Sequence, residues 1–137
     1  MSYHMILGIS GDMIIKNTNL KLKDLPTLLK SYILYENQNG TTGNINLNDN
    51  CSNYDFIDVF GVIKPDNFRC FGRLYDPNGK TLTLTHFMHT DVAYYRATTI
   101  SFNHNQVTQS YNKLWYLDTV ADNGIYITKI VGYKLLK

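Results

Sequence analysis

The sequence predicts an all-β domain, an antiparallel β-sandwich of jelly-roll-like architecture, and three observations carry that expectation. The first is composition: Thr, Ile, Val, Tyr, Phe and Trp supply 49 of the 137 residues, against three Ala, three Gln and one Glu, Glu36. Residues that fit a pleated, half-buried surface abound, and good helix formers are scarce. The second is the segment 73–84, where an aromatic-ended strand enters Pro77-Asn78-Gly79 and leaves as a strict Thr/Leu alternation. Pro77 presets φ, while Asn78 and Gly79 tolerate φ > 0, so the chain should reverse there. Beyond it Leu82 and Leu84 face one way and Thr81, Thr83 and Thr85 the other, the pattern of a half-buried strand. The third is rhythm: strand-like runs recur with turn residues in each gap, which describes a sandwich or jelly roll rather than a βαβ fold.

At this length the chain suits one domain, able to bury a core without metal or disulfide staples. Residues 1–23 hold two short apolar pieces, 5–9 and 13–15, split by Gly8, Gly11 and Asp12. They read as an N-terminal arm or hairpin, either a docking segment for a neighbour or the first hairpin of the sandwich itself. Residues 24–137 form the sandwich domain. It opens with a helical signal over 24–30, where Asp24 can cap, Pro26 comes early, and Leu25, Leu28, Leu29 and Tyr32 follow helical spacing. Strands are expected at 31–36, 41–47, 54–63, 67–75, 80–87, 92–102, 106–117 and 125–134, with turns between them. Ile45, Leu47, Leu82, Leu84, Ile100 and Ile127 are the expected core, and Trp115, the single Trp, is assigned to it as well. The apolar density of Ile125, Ile127, Ile130 and Val131 expects the closing strand to be well paired rather than a frayed tail.

A net charge of +2, three arginines (Arg69, Arg73, Arg96) and no basic run argue against a nucleic-acid or membrane partner. The start lacks a basic region followed by a long apolar run, so no signal peptide is expected, and no segment approaches the length of a membrane span. Cys51 and Cys70 could bridge neighbouring strands, but without a CxxC or clustered His they read as free, buried thiols. The sequons at Asn39 and Asn50 are expected by chance in a chain with fifteen Asn.

Catalytic chemistry is nearly absent from the pattern. His86, His89 and Asp91 are the one cluster resembling a metal site, yet positions 86 and 89 of a strand point to opposite faces. Asp55 and Asp58 are likewise separated by an odd spacing, so they do not flank one bond as a glycosidase pair must. No GxSxG, Walker-type or GxGxxG motif occurs, and neither cysteine has an activating neighbour. The expectation is a non-enzyme with no catalytic residue, no metal and no cofactor. What remains is surface chemistry. Arg69, Phe71, Arg73 and Tyr75 share one strand face, opposite Phe68, Cys70 and Leu74. Guanidinium groups interleaved with rings suit an interface or a glycan contact, although the same pattern also describes an ordinary amphipathic strand. Tyr94, Tyr95 and Arg96 form the second such group.

Four segments resemble a known family. Residues 33–47, ILYENQNGTTGNINL, followed by NYDFIDVF at 53–60, resemble the LYENxxGTxGxIxL … NYDYIEIFY opening of a recurrent bacteriophage structural domain. Residues 73–84 resemble its VYSPNGKTVTL hairpin, Ala97-Thr-Thr-Ile-Ser101 with Gln106-Val-Thr108 is similar to its TVTISGTTIT hairpin, and residues 123–134 resemble its closing NYIYITRVVGYK. The resemblance covers about residues 32–134 in the same order; Asn103-His104-Asn105 departs from the usual Ser-Gly turn, as does the stretch 67–72. It implies a domain of phage minor structural or tail-fibre proteins, without defined catalytic residues. The expected function is a structural virion protein of the tail tip, baseplate or fibre, with a capsid-decoration or head-fibre protein as the alternative and a free carbohydrate-binding module as a third. The implied partners are other virion proteins, further copies of the chain and a host-surface glycan; the implied location is the virion, after synthesis in the host cytoplasm.

Overall fold

The alternating strand formers become long antiparallel strands in the computed structural model, which describes residues 5–7, 13–15, 28–64, 67–89, 93–116, 119–121 and 124–136. In chain order these are β1 (Met5–Leu7), β2 (Met13–Ile15), β3 (Leu29–Thr41), β4 (Asn44–Asn46), β5 (Phe56–Ile63), β6 (Phe68–Tyr75), β7 (Thr81–His89), β8 (Ala93–Asn103), β9 (Gln106–Tyr116), β10 (Thr119–Ala121) and β11 (Ile125–Leu135). β1 and β2 pair antiparallel with each other, the hairpin form of the N-terminal segment. One sheet runs β3-β11-β5-β6. The other runs β10-β9-β8-β7, with β4 also on β9. The fold is an antiparallel β-sandwich. Its closing strand β11 lies inside a sheet, hydrogen-bonded to β3 on one side and β5 on the other.

The core fills the space between the sheets. Leu34, Ile57, Val59, Ile63, Ile125, Ile127 and Ile130 from one sheet meet Ile45, Leu84, Ile100, Phe102 and Val107 from the other, all buried. Of the six expected core residues, Ile45, Leu47, Leu84, Ile100 and Ile127 are buried and Leu82 packs partly buried against them. Cys51 and Cys70 are free and buried; burial pushes the Cys70 thiol up to about 11 and raises that of Cys51 as well.

Several expectations need correction. The helical signal over 24–30 stops short of its expected end: Leu28 is helical, but Leu29 and Lys30 already pair with Leu135 and Lys134 of β11. A ladder along a long strand outweighs one turn of helix, which pays the nucleation cost for few bonds; residues 24–27 lie outside the described residues. The gap expected at 37–40 is instead a bulge within β3. Glu36 pairs with Lys129 and Thr41 with Ile127, so four residues of β3 oppose one of β11. Asn37 closes the bulge, its Oδ1 accepting from Asn39 N and its Nδ2 donating to Thr41 Oγ1.

The turn at Pro77–Gly79 is not a hairpin within one sheet. β6 and β7 belong to different sheets, and the turn is a corner between them. Its backbone bonds explain why: Gly79 N donates to Phe102 O and Phe102 N to Lys80 O, so the start of β7 is stitched to β8 rather than to β6. Gly79 takes φ 73° as expected, but its companion in the left-handed region is Asp76 at φ 47°, not Asn78. The Asn78 side chain is used otherwise, its Oδ1 accepting from His104 N at 2.8 Å. β10, where no strand was expected, pairs with the end of β9.

Trp115 is the most instructive departure. Ile100 pairs with Gln109 but Thr99 pairs with Tyr111, leaving Ser110 as an extra residue in β9. A one-residue slip sends every later side chain to the other face. Val107 is therefore buried in the core, while Tyr111, Lys113 and Trp115 pair with Thr99, Ala97 and Tyr95, which alternation along β8 sets on the face opposite the buried Thr98 and Ile100. Trp115 sits on the outer face, not in the core.

Candidate functional site

The outer surface of the β3-β11-β5-β6 sheet carries the chemistry that the sequence places on one strand. Alternation along β5 turns Ile57, Val59 and Ile63 inward, so Phe56, Asp58, Phe60 and Val62 face out. Register then sets their neighbours. Phe56 pairs with Tyr75, Asp58 with Arg73, Phe60 with Phe71 and Val62 with Arg69 on β6. On the other side Tyr133 lies against Phe56, Val131 against Asp58 and Lys129 against Phe60. β3 completes the rows with Ser31, Ile33 and Glu36.

At the centre is a carboxylate–guanidinium pair. Arg73 Nε and Nη2 donate to the two oxygens of Asp58 at 2.6 and 2.8 Å. Asp58 is 3% exposed, covered by the guanidinium, which lies 4.5 Å from the centre of the Phe56 ring. Phe56 stacks on Tyr133 at 4.7 Å with the planes 11° apart, and Tyr75 leans on the other side at 5.4 Å. The pair is a bidentate bond walled by rings, the geometry in which arginine recognises a carboxylate with the least loss of freedom. The bonds to Asp58 hold the Arg73 guanidinium protonated beyond its ordinary range. Burial, together with the charge of Asp58, raises the Tyr133 phenol.

Around this fixed centre the side chains are open. Phe71 is 55%, Tyr75 59% and Ile33 50% exposed, with Leu29 and Leu135 at the same end of the sheet also exposed. Lys129 pairs with Glu36 at 3.2 Å. Beyond Phe60 the face ends in an open groove of about 620 Å3, lined by Glu36, Lys64, Arg69 and Lys129 among others. Lys64 is held there by the Asn39 carbonyl and lies 5.0 Å from the centre of the Tyr126 ring. The groove is a polar margin to the face.

The seven residues singled out from the sequence thus divide. Arg69, Phe71, Arg73 and Tyr75 stand together on this outer face, all exposed. Tyr94, Tyr95 and Arg96 lie on β8 of the other sheet, where the Arg96 guanidinium lies 5.9 Å from the centre of the Tyr94 ring and Tyr95 is turned away from both. Tyr95 faces out and packs on Trp115 with ring centres 5.1 Å apart, while Arg96 is buried and faces the opposite way. Sequence reasoning passed over Phe56, Phe60, Lys129 and Tyr133 as members of this face, weighed Asp58 only as one of a carboxylate pair, and read Val131 only as part of the closing strand's apolar run. The alternation of β5 could have grouped Phe56, Asp58 and Phe60, but only the register of β11 brings Tyr133 and Val131 beside them.

His86 pairs across the ladder with Arg96 and stacks on Phe68 at 5.4 Å. A guanidinium beside an imidazole opposes a metal cation there. His86 and His89 belong to one continuous strand; the His89 side chain and Asp91 lie outside the described residues. Among the described residues no three His, Cys, Asp or Glu side chains come close enough to hold a metal ion. In comparison with known proteins, no family model matches the chain and no curated protein matches it.

Proposed function

We propose that this chain is a non-catalytic structural component of a bacteriophage particle, at the tail tip, baseplate or fibre, and that it acts through the outer face of the β3-β11-β5-β6 sheet. The observation that carries the reading is the composition of that face. The outer side of a sandwich sheet is ordinarily polar, whereas here Phe71, Tyr75 and Ile33 stand exposed around an arginine locked to a buried carboxylate. Aromatic residues and arginine are the side chains enriched where proteins meet, and an exposed apolar patch of this kind marks a contact surface. The resemblance of residues 32–134 to phage structural domains supplies the biological setting, and the rigid, doubly paired β11 suits a part that is assembled once and then bears load.

Antibody labelling of purified phage particles in electron micrographs tests the proposal. Label at the tail tip or fibre is the expected result. Label over the head would favour the capsid-decoration or head-fibre reading. Absence from the particle, with binding of the isolated protein on a glycan array that is lost in Phe71→Ser, would replace it with a carbohydrate-binding module.

A further inference from the structure

We infer that the partner covering this face is a second copy of the same chain, packed sheet against sheet with its strands reversed. The inference rests on the reading of the face as a contact surface and names what covers it. Along β6 the outward residues run Arg69, Phe71, Arg73, Tyr75, with Gly72 at the midpoint. Reversed about Gly72, the same ladder places each arginine where the first has a ring. A two-fold axis lying between the sheets and crossing β6 at Gly72 therefore sets Arg69 against Tyr75 of the partner subunit, and Phe71 against the partner's Arg73. Every such meeting sets a cation on a ring, an attractive pairing that strengthens as water is excluded. A ladder of alternating chemistry with an even number of rungs has this property only in the antiparallel sense; strands packed parallel would set arginine on arginine.

Charge and area agree with that occupant. The two acids of the face are already neutralised, Asp58 by Arg73 and Glu36 by Lys129, so a second copy brings no unpaired carboxylate into contact. Four strands at the usual spacing, about eight residues deep, present roughly 20 by 25 Å, or about 1,000 Å2 for the two copies together. That reaches the lower bound for a specific interface. Phe71 and Tyr75 are exposed anchors at the middle and end of β6, the edge strand of the sheet, and Arg73 arrives preorganised by its bond to Asp58.

The test is sedimentation equilibrium of the full chain and of surface variants whose folding is checked by thermal melting. The wild type should form a dimer. Phe71→Ser should weaken it at least tenfold, and Tyr95→Ser, on the opposite outer surface, should leave it unchanged. The decisive comparison uses two residues of one chain that lie roughly 20 Å apart along β6, too far to influence each other within a subunit. Tyr75→Arg alone sets arginine on arginine and should cost at least tenfold in dimer affinity. Adding Arg69→Tyr to that variant restores a ring opposite the new cation and should recover most of the loss. A protein that stays monomeric at several hundred micromolar, a dimer indifferent to Phe71→Ser, or a Tyr75→Arg loss not recovered by Arg69→Tyr would each overturn the inference. These outcomes are separable from the proposed function: a monomer found on particles refutes the dimer alone, and a dimer absent from particles refutes the virion role alone.

Discussion

Replacing Thr98 by Val probes the polar joint that holds the β9 bulge. Thr98 is fully buried. Its hydroxyl donates to Tyr111 O at 2.6 Å and accepts from Gln109 Nε2 at 2.5 Å, while the same amide nitrogen donates to Ile125 O at 2.8 Å. This joint ties β8 and β9 of one sheet to β11 of the other, beside the extra residue Ser110. Val keeps the shape and the strand propensity of Thr, so the change opens no cavity and removes only the hydrogen bonds. It strands one buried carbonyl and half of one amide. At about 1–3 kcal/mol for each buried group left without its partner, and less for the part-exposed Gln109, the expected loss is roughly 2–4 kcal/mol. With a urea slope on the order of 2 kcal/mol per molar, the midpoint should fall by about 1–2 M. Urea titration followed by the fluorescence of Trp115, which reports on the face that the bulge selects, measures it. Adding Gln109→Leu should cost less in the Thr98→Val background than in the wild type, because the two share one network. A midpoint unchanged or raised by Thr98→Val would refute the reasoning.

Three further outcomes are expected. Removal of residues 125–137 takes the central strand from the four-stranded sheet and should abolish cooperative unfolding by calorimetry; a normal melt would contradict the pairing of β11 with both β3 and β5. Burial, with the Arg96 guanidinium beside it, holds the His86 imidazole below its ordinary pKa of about 6.5. The unfolded chain then binds the extra proton, so stability is complete above that pH and falls as pH drops through it; melting temperatures from pH 8 to 5 should show this decline in the wild type and a shallower one in His86→Gln. Residues 1–23 should be dispensable for folding: a chain beginning near Lys23 is expected to melt cooperatively while losing association with particles, and failure to fold would assign the segment to the core.

Local sequence carried the strands and their alternation because both depend on neighbours two residues apart. The inward set Ile45, Leu47, Leu84, Ile100 and Ile127 and the outward set Arg69, Phe71, Arg73 and Tyr75 were legible for that reason. The density of isoleucines near the end likewise announced a strand that must be covered. Tertiary structure decided everything that depends on register or on which strand comes alongside. Ser110 adds one residue to β9 and moves Trp115 from the expected core to the surface, a reversal that no periodicity within the segment signals. Pro77–Gly79 reads as a tight reversal, but whether the strands it joins pair or part depends on Phe102, more than twenty residues away, taking the bonds at the start of β7. The candidate site shows the same division. Its ladder of arginines and rings belongs to one strand and is visible in the sequence, whereas the buried Asp58 that fixes Arg73, and the Phe56–Tyr133 stack that walls it, come from strands up to sixty residues away and exist as a surface only once β11 has inserted between β3 and β5.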